Sequence, residues 1–377
     1  MHIEKPVMQG KRILNLDLFR GLAIMAVVFF HVTQMYAGDE VNAYFYKWGK
    51  FGVELFFVLS GFLVGGLYYR QKGKVNLFRF WFLRIFRTYP PYLIALIVSF
   101  LTVYIARGEK FSFEYLIFVQ NFFYTIPYFK ISWSLCVEEH FYMAFPFFII
   151  FLKIFKIKLR GQLIFWIFII LLPTFIRWKF GNYAHSDFGY YETATYFRSD
   201  GIAIGCFFAF LVYRMKLNMR FPPISKTLTI IFFFGSILFN DFYQNSFAAY
   251  CFGYLLLNIS LFFLIAFFYF SKDFAMAKYK FIPHVASMAY SIYLTHAVVI
   301  NFMGSIYSKY HLGLYVIYPI TVLAVYIIGF SFFKLVEQPT IAFRNYYFMP
   351  NSNSHVRFYR HLNFLRNSNL ARLFKLK

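Results

Sequence analysis

Charge is scarce in this chain, and negative charge scarcest. Of 377 residues only 14% are charged, 15 acidic residues stand against 38 basic ones, and 60% are hydrophobic. With a mean hydropathy of +0.57, these values exclude a water-soluble globule, so lipid must be the main solvent. Cysteine is equally sparse. Cys136, Cys206 and Cys251 fall in apolar stretches without metal-ligand spacing, which argues against a disulfide framework or a zinc site and leaves them as small buried apolar residues. Period-two alternation is missing, which disfavours a membrane barrel. There is no internal repeat and no hydrophilic stretch long enough for a second folded domain. The first apolar run carries Asp17, Arg20 and His31 and shows no small-residue cleavage site, so it is expected to stay as the first helix and not to leave as a signal peptide.

What the chain has instead is a succession of apolar runs, each long enough at 1.5 Å per residue to span a hydrocarbon core of ~30 Å. The expected fold is an all-α, polytopic transmembrane helical bundle of about ten spans, at 14–36, 51–69, 91–106, 133–152, 162–178, 196–213, 227–240, 248–270, 286–308 and 314–333. The apolar segment from Tyr115 to Phe129 also carries Gln120, Asn121 and Pro127, and reads as an interfacial or re-entrant piece. A net charge of +23 would point a soluble protein toward nucleic acid. Here the basic residues alternate by loop, 28 of the 38 in segments on one side and 9 on the other. That is the positive-inside asymmetry; it places both termini in the cytoplasm and removes the case for nucleic acid. The bundle takes residues 1–348, and residues 349–377 read as a basic, mobile cytoplasmic tail beside the anionic inner leaflet.

Ionised side chains at bilayer depth cost about 2.5 to 3.5 kcal/mol each on insertion scales, so those present are functional candidates. In the first span Arg20 and His31 are eleven residues apart, which puts them on one helix face and ~16 Å apart along the axis. Asp17, three residues before Arg20, can pair with it. The stripe offers an anion-binding guanidinium at the entrance and a titratable imidazole deeper in. In the second span Glu54 precedes Ser60-Gly61, a small pair that permits close helix approach. The inner loop that follows holds Arg79, Arg84 and Arg87 before Tyr89-Pro90-Pro91. Arg84 and Arg87 serve either topology alone or a phosphate clamp. The fourth span brings Glu138, Glu139, His140 and Tyr142 into the membrane together. The sixth opens with Arg198 and Asp200, read as an acid and base pair, and the ninth contains a second histidine, His296.

The strings LDLFRGLAIMAVVFFH, GVELFFVLSGF, RIFRTYPPYL, SWSLCVEEHFY, YFRSDGIAIG, SIYLTH and LVEQP follow one another in that order. Over roughly residues 12 to 340 this pattern resembles membrane acyltransferase family 3, whose members move acyl groups onto envelope glycans and other acceptors. The resemblance implies a stand-alone form without an appended hydrolase-like (SGNH-type) domain, in a bacterial cytoplasmic (inner) membrane. It implies functional roles for Arg20 and His31, with Arg84 and Arg87 as the paired-arginine element and Glu138 as the motif's typical acid. Glu54 stands where the family often has Asp, and His140 where it often has Gln.

The expected activity is O-acetylation: transfer from cytoplasmic acetyl-CoA, the acyl donor, to a sugar hydroxyl of a glycan or lipid-linked sugar such as a lipopolysaccharide O-unit, with no bound cofactor or metal. His31 serves as general base or as transient acyl carrier, Glu138 orients the imidazolium, and Arg20, Arg84 and Arg87 hold the CoA phosphates. Asp17, Glu54, Glu139, Tyr142, Arg198, Asp200 and His296 complete the candidate set. Two alternatives stand beside this: an acyltransferase for a non-glycan acceptor, and a proton-coupled transporter using Asp17, His31, Glu54 and His296 as a relay.

Overall fold

A computed structural model describes residues 14–36, 39–70, 77–123, 126–181, 190–218, 223–242, 246–271 and 281–348. Among these residues every regular element is helical, as expected where no water is available to satisfy an exposed backbone. The first half contains α1 (Leu14–Tyr36), α2 (Asp39–Tyr69), α3 (Leu77–Arg107), α4 (Trp133–Ile154), α5 (Leu159–Phe180) and two single turns, α6 (Tyr190–Thr193) and α7 (Thr195–Arg198). The second half contains α8 (Asp200–Ala209), α9 (Pro223–Phe242), α10 (Phe247–Phe270), α11 (Phe281–Ser287), α12 (Ala289–Tyr310), α13 (Leu314–Phe332) and α14 (Gln338–Phe348). The basic tail expected at 349–377 lies outside the described residues.

Eight helical stretches, in α1, α2, α3, α4, α5, α10, α12 and α13, are long and apolar enough to cross a bilayer. The other two expected spans are helical but shorter. In α9 the apolar part is Thr227–Phe239. Helix α8 with the π turn Phe210–Arg214 contributes ten and five residues, which rise only roughly 22 Å.

One boundary differs from the sequence reading in a way that matters for the site. Arg79, Arg84 and Arg87, expected in a loop, lie on the first turns of α3, which begins at Leu77 and runs through Pro90 and Pro91. Two prolines remove two backbone donors but leave the helix continuous, because neighbouring groups can satisfy carbonyls around such a site. The carbonyls they free are those of Phe86 and Arg87; on either side of these, Arg344 of α14 donates to the Leu83 carbonyl at 3.3 Å and the Tyr290 hydroxyl of α12 to the Thr88 carbonyl at 2.8 Å.

The bundle's tightest seam joins α2 to α8. A methyl group on Gly61 would sit 2.0 Å from the Ile202 carbonyl oxygen, and one on Gly205 would sit 2.1 Å from that of Val58. Only hydrogen fits at either place, so the two backbones approach as small residues permit in membrane bundles. Helix α1 packs on the neighbouring flank of α2 and is tied to α13 by Thr33 with Tyr318 at 2.5 Å and Tyr36 with Thr321 at 2.8 Å.

Between α3 and α4 the chain forms three 3₁₀ turns, Phe113–Ile117, Gln120–Phe122 and Lys130–Ser132, and no spanning helix. The described residues of this segment pack against α3. Tyr92 of α3 anchors it: its hydroxyl donates to the Tyr115 carbonyl at 2.9 Å and receives the Gln120 amide at 3.2 Å. Phe118 and Phe129 adopt φ of 59° and 48°, a left-handed conformation that bulky residues rarely take. Both rings rest near Tyr92, at 4.4 and 5.7 Å between centroids, so packing holds the strained backbone in place.

Candidate active site

Helices α1 and α12 bring two histidines together. The His31 and His296 rings lie 4.9 Å apart at 67°. Each ring is oriented by its own helix, with Nδ1 of His31 2.8 Å from the Val27 carbonyl oxygen and Nδ1 of His296 2.7 Å from that of Tyr293. A carbonyl can only accept, so each Nδ1 carries hydrogen and each Nε2 carries the lone pair. Nε2 of His296 is buried and has no hydrogen-bond partner. Each ring therefore keeps one acceptor nitrogen, and that of His296 is buried and unengaged, a feature that core packing alone does not need.

The second part of the site is a group of arginines and carboxylates gathered from five helices. Arg20 pairs with Asp17 at 3.7 Å, as their spacing on α1 requires. Arg20 and Arg87 both act electrostatically on Glu337, which receives the Ser291 hydroxyl at 2.5 Å. The Arg84 guanidinium stacks over the Tyr142 ring at 4.5 Å and leaves its Nε buried without a partner. Glu138 accepts from Tyr142 at 2.7 Å and from Ser60 at 3.2 Å. Glu139 lies against Thr88 and within electrostatic reach of Arg84. Arg344 of α14 joins the same group, close enough to be repelled by Arg84 and Arg87. Guanidiniums so grouped favour an anion that can bridge several of them.

A family model described as an acyltransferase domain matches residues 13–334, a range that includes the paired histidines and all of the arginine and carboxylate group except Glu337 and Arg344. The chain belongs to this acyltransferase family. It is 28% identical to an O-acetyltransferase OatA of Staphylococcus aureus strain MRSA252, over 90% of this chain and 59% of that protein. A second OatA, from strain NCTC 8325 / PS 47, is also 28% identical, over 89% of this chain and 58% of its own length. The acyltransferase chain thus spans about three fifths of the length of these relatives. No solved structure matches it.

Of the remaining candidates, several hold the acyltransferase bundle together. Arg198 and Asp200 do not pair with each other, contrary to the sequence reading. Two residues apart at a helix start, they point away from one another and find separate partners. Arg198 bonds Glu54 of α2 and lies over the Tyr254 ring at 3.8 Å, while Asn258 donates to the other Glu54 oxygen at 2.8 Å. Asp200 takes Arg177 of α5 at 2.8 Å, with both side chains fully buried. Arg177 also donates to the Cys251 carbonyl at 3.1 Å and to Thr174 at 3.0 Å. Buried charges matched in this way are costly to break, about 3–5 kcal/mol when one partner is removed. His140 bonds Thr195 at 2.7 Å and stacks on Phe122. Glu138, expected to orient His31, faces Ser60, Tyr142 and Arg84 instead, and His296 is the residue that meets His31.

Sequence reasoning did not single out Glu337, Arg344, Arg177 or Asn258. Glu337 was within reach, since it is the acid of the LVEQP string. Arg177 sits at the end of a span, where a basic residue is ordinary. Only the packing of α5 on α8 reveals its role.

Proposed function

We propose that this acyltransferase is a membrane O-acetyltransferase. It moves an acetyl group from cytoplasmic acetyl-CoA to a sugar hydroxyl of a bacterial cell-envelope glycan, of which a lipopolysaccharide O-unit is one instance. The observation that carries the reading is His31, whose Nδ1–H is held by the Val27 carbonyl so that Nε2 keeps its lone pair for a substrate proton. The relatives' name, O-acetyltransferase, supports acetyl as the group transferred and oxygen as the receiving atom.

A sugar hydroxyl is a poor nucleophile, and a neutral imidazole in reach can take its proton as it attacks the thioester. The CoA phosphates bind the guanidiniums of Arg20, Arg84 and Arg87 through forked hydrogen bonds. Arg20 and His31 lie on one continuous helix, eleven residues and ~16 Å apart along its axis. An extended pantetheine arm spans that distance, which lets the thioester reach the imidazole while the phosphates stay at the arginines. The Tyr142 ring lies under the Arg84 guanidinium, and the Tyr142 hydroxyl is in turn held by Glu138.

The transporter reading loses support because its four relay residues are not together. Glu54 is committed to Arg198 and Asp17 lies beside Arg20, so only His31 and His296 meet. The test is mass spectrometry of envelope polysaccharides from cells with and without the protein. Alkali-labile acetyl groups present only with the protein are expected, and identical acetylation in both would refute the assignment.

A further inference from the structure

We propose that His296 is a second catalytic base: its Nε2 receives the proton that His31 Nε2 takes from the acceptor hydroxyl and holds it until it protonates the departing CoA thiolate. The proposal rests on the acetyl-transfer reading above and adds a residue and a proton route to it.

Four observations carry it. The two rings are neighbours, 4.9 Å between centroids. Both are fixed in the same tautomeric sense by backbone carbonyls, at Val27 and Tyr293. The fully buried His296 has an acceptor nitrogen with no donor, which the surroundings would normally satisfy. Finally, Glu138, the acid expected to stabilise a charged His31, is engaged elsewhere, because its two oxygens accept from Ser60 and Tyr142. A positive charge created on the half-buried His31 is eased by a basic partner beside it. The neighbouring ring is that of His296, whose Nε2 lone pair is unengaged in the resting structure and free to take the proton.

The step balances. The acceptor O–H bond breaks and its proton goes to the imidazole pair. The hydroxyl oxygen bonds the acetyl carbon, the carbon–sulfur bond breaks, and the thiolate leaves with the electron pair. The proton then passes from the pair to sulfur, giving the ester and free CoA. Two imidazoles sharing one proton serve both halves of this cycle, and no other group need ionise.

The experiment uses everted membrane vesicles carrying the full chain and the cell's own glycan, supplied with acetyl-labelled acetyl-CoA. Label entering alkali-labile envelope material is measured. If wild-type vesicles transfer no more label than vesicles lacking the protein, the acetyl-transfer reading itself has failed. Given wild-type transfer, His296→Gln and His296→Ala should each lose about 10²-fold or more, the lower range for positioned proton transfer. The His31→Ala, His296→Ala double variant should be little worse than either single one, as for residues that act as a unit. Added imidazole should restore transfer in His296→Ala at least in part. Pyrazole, of the same size but far less basic, should not. A His296→Gln enzyme within threefold of wild type would overturn the proposal. So would equal rescue by imidazole and pyrazole, which would mean that the ring only fills space.

Discussion

Each of the two histidines commits one nitrogen to a carbonyl one helical turn earlier, and that local bond decides which nitrogen does chemistry. His31→Gln keeps a hydrogen-bonding side chain but cannot take a proton near neutrality. Acetyl transfer should therefore fall by about 10² to 10⁴-fold, while binding of acetyl-CoA and the amount of inserted protein stay as in wild type. Near wild-type turnover in this variant would remove His31 from the mechanism. The arginines should act on the other kinetic parameter. Arg84→Ala with Arg87→Ala, and Arg344→Ala separately, are expected to raise the KM for acetyl-CoA more than that for the glycan, because phosphate contacts are lost. If Arg344→Ala leaves the donor KM unchanged, its guanidinium serves only the Leu83 carbonyl it touches. Arg20→Lys should be as harmful as Arg20→Ala if the forked geometry is what grips phosphate.

At the level of elements, the site depends on a close helix seam beside it. Ser60, which bonds Glu138, is the neighbour of Gly61, and Gly61 meets the backbone of α8. Gly205→Ala forces a methyl group against the Val58 carbonyl, and the helices must separate to admit it. Overpacking of this kind costs about 1–3 kcal/mol in well-packed cores. The variant should lose its fold at a lower temperature in detergent and lose activity with it. Gly235 offers the control, since nothing lies within 4 Å of an added methyl group. Gly235→Ala in α9 should leave thermal stability unchanged or raise it, by helix propensity. Equal destabilisation by both substitutions would show that the seam is no tighter than the rest of the bundle.

For the molecule as a whole, the distribution of charge predicts its orientation. The split of basic residues, 28 against 9, leads us to place both chain ends in the cytoplasm with an even number of crossings. A fluorescent reporter that matures only in the cytoplasm should light up when fused to either end. Silence at one end alone would mean an odd number of crossings, and the short helices α8 and α9 would be the first to re-examine. This orientation also sets the chemistry in order. With both ends inside, the proposed mechanism has the arginine group on the cytoplasmic side and the imidazole pair farther along α1.

By itself the sequence determined the class of solvent, the helical fold, the family and the residues on any one helix face. The family rests on the seven ordered motifs; the rest follows from composition, run length and the 3.6-residue repeat, which are local properties. Arg20, Asp17 and His31 were legible as one stripe for that reason, and Ser60-Gly61 as a close-approach pair. The tertiary structure decided which stripes face each other. Arg198 with Glu54, Arg177 with Asp200, and Arg344 beside Arg84 join residues that are many positions apart or sit on different helices, and no periodicity specifies such a match. The prolines in RIFRTYPPYL suggested a loop because their cost is local. The helix nonetheless runs through them, and α12 and α14 are bonded to it on either side of the freed carbonyls, at Thr88 and Leu83. For the same reason His296 was only one intramembrane histidine among several candidates until the packing of α1 against α12 set it beside His31.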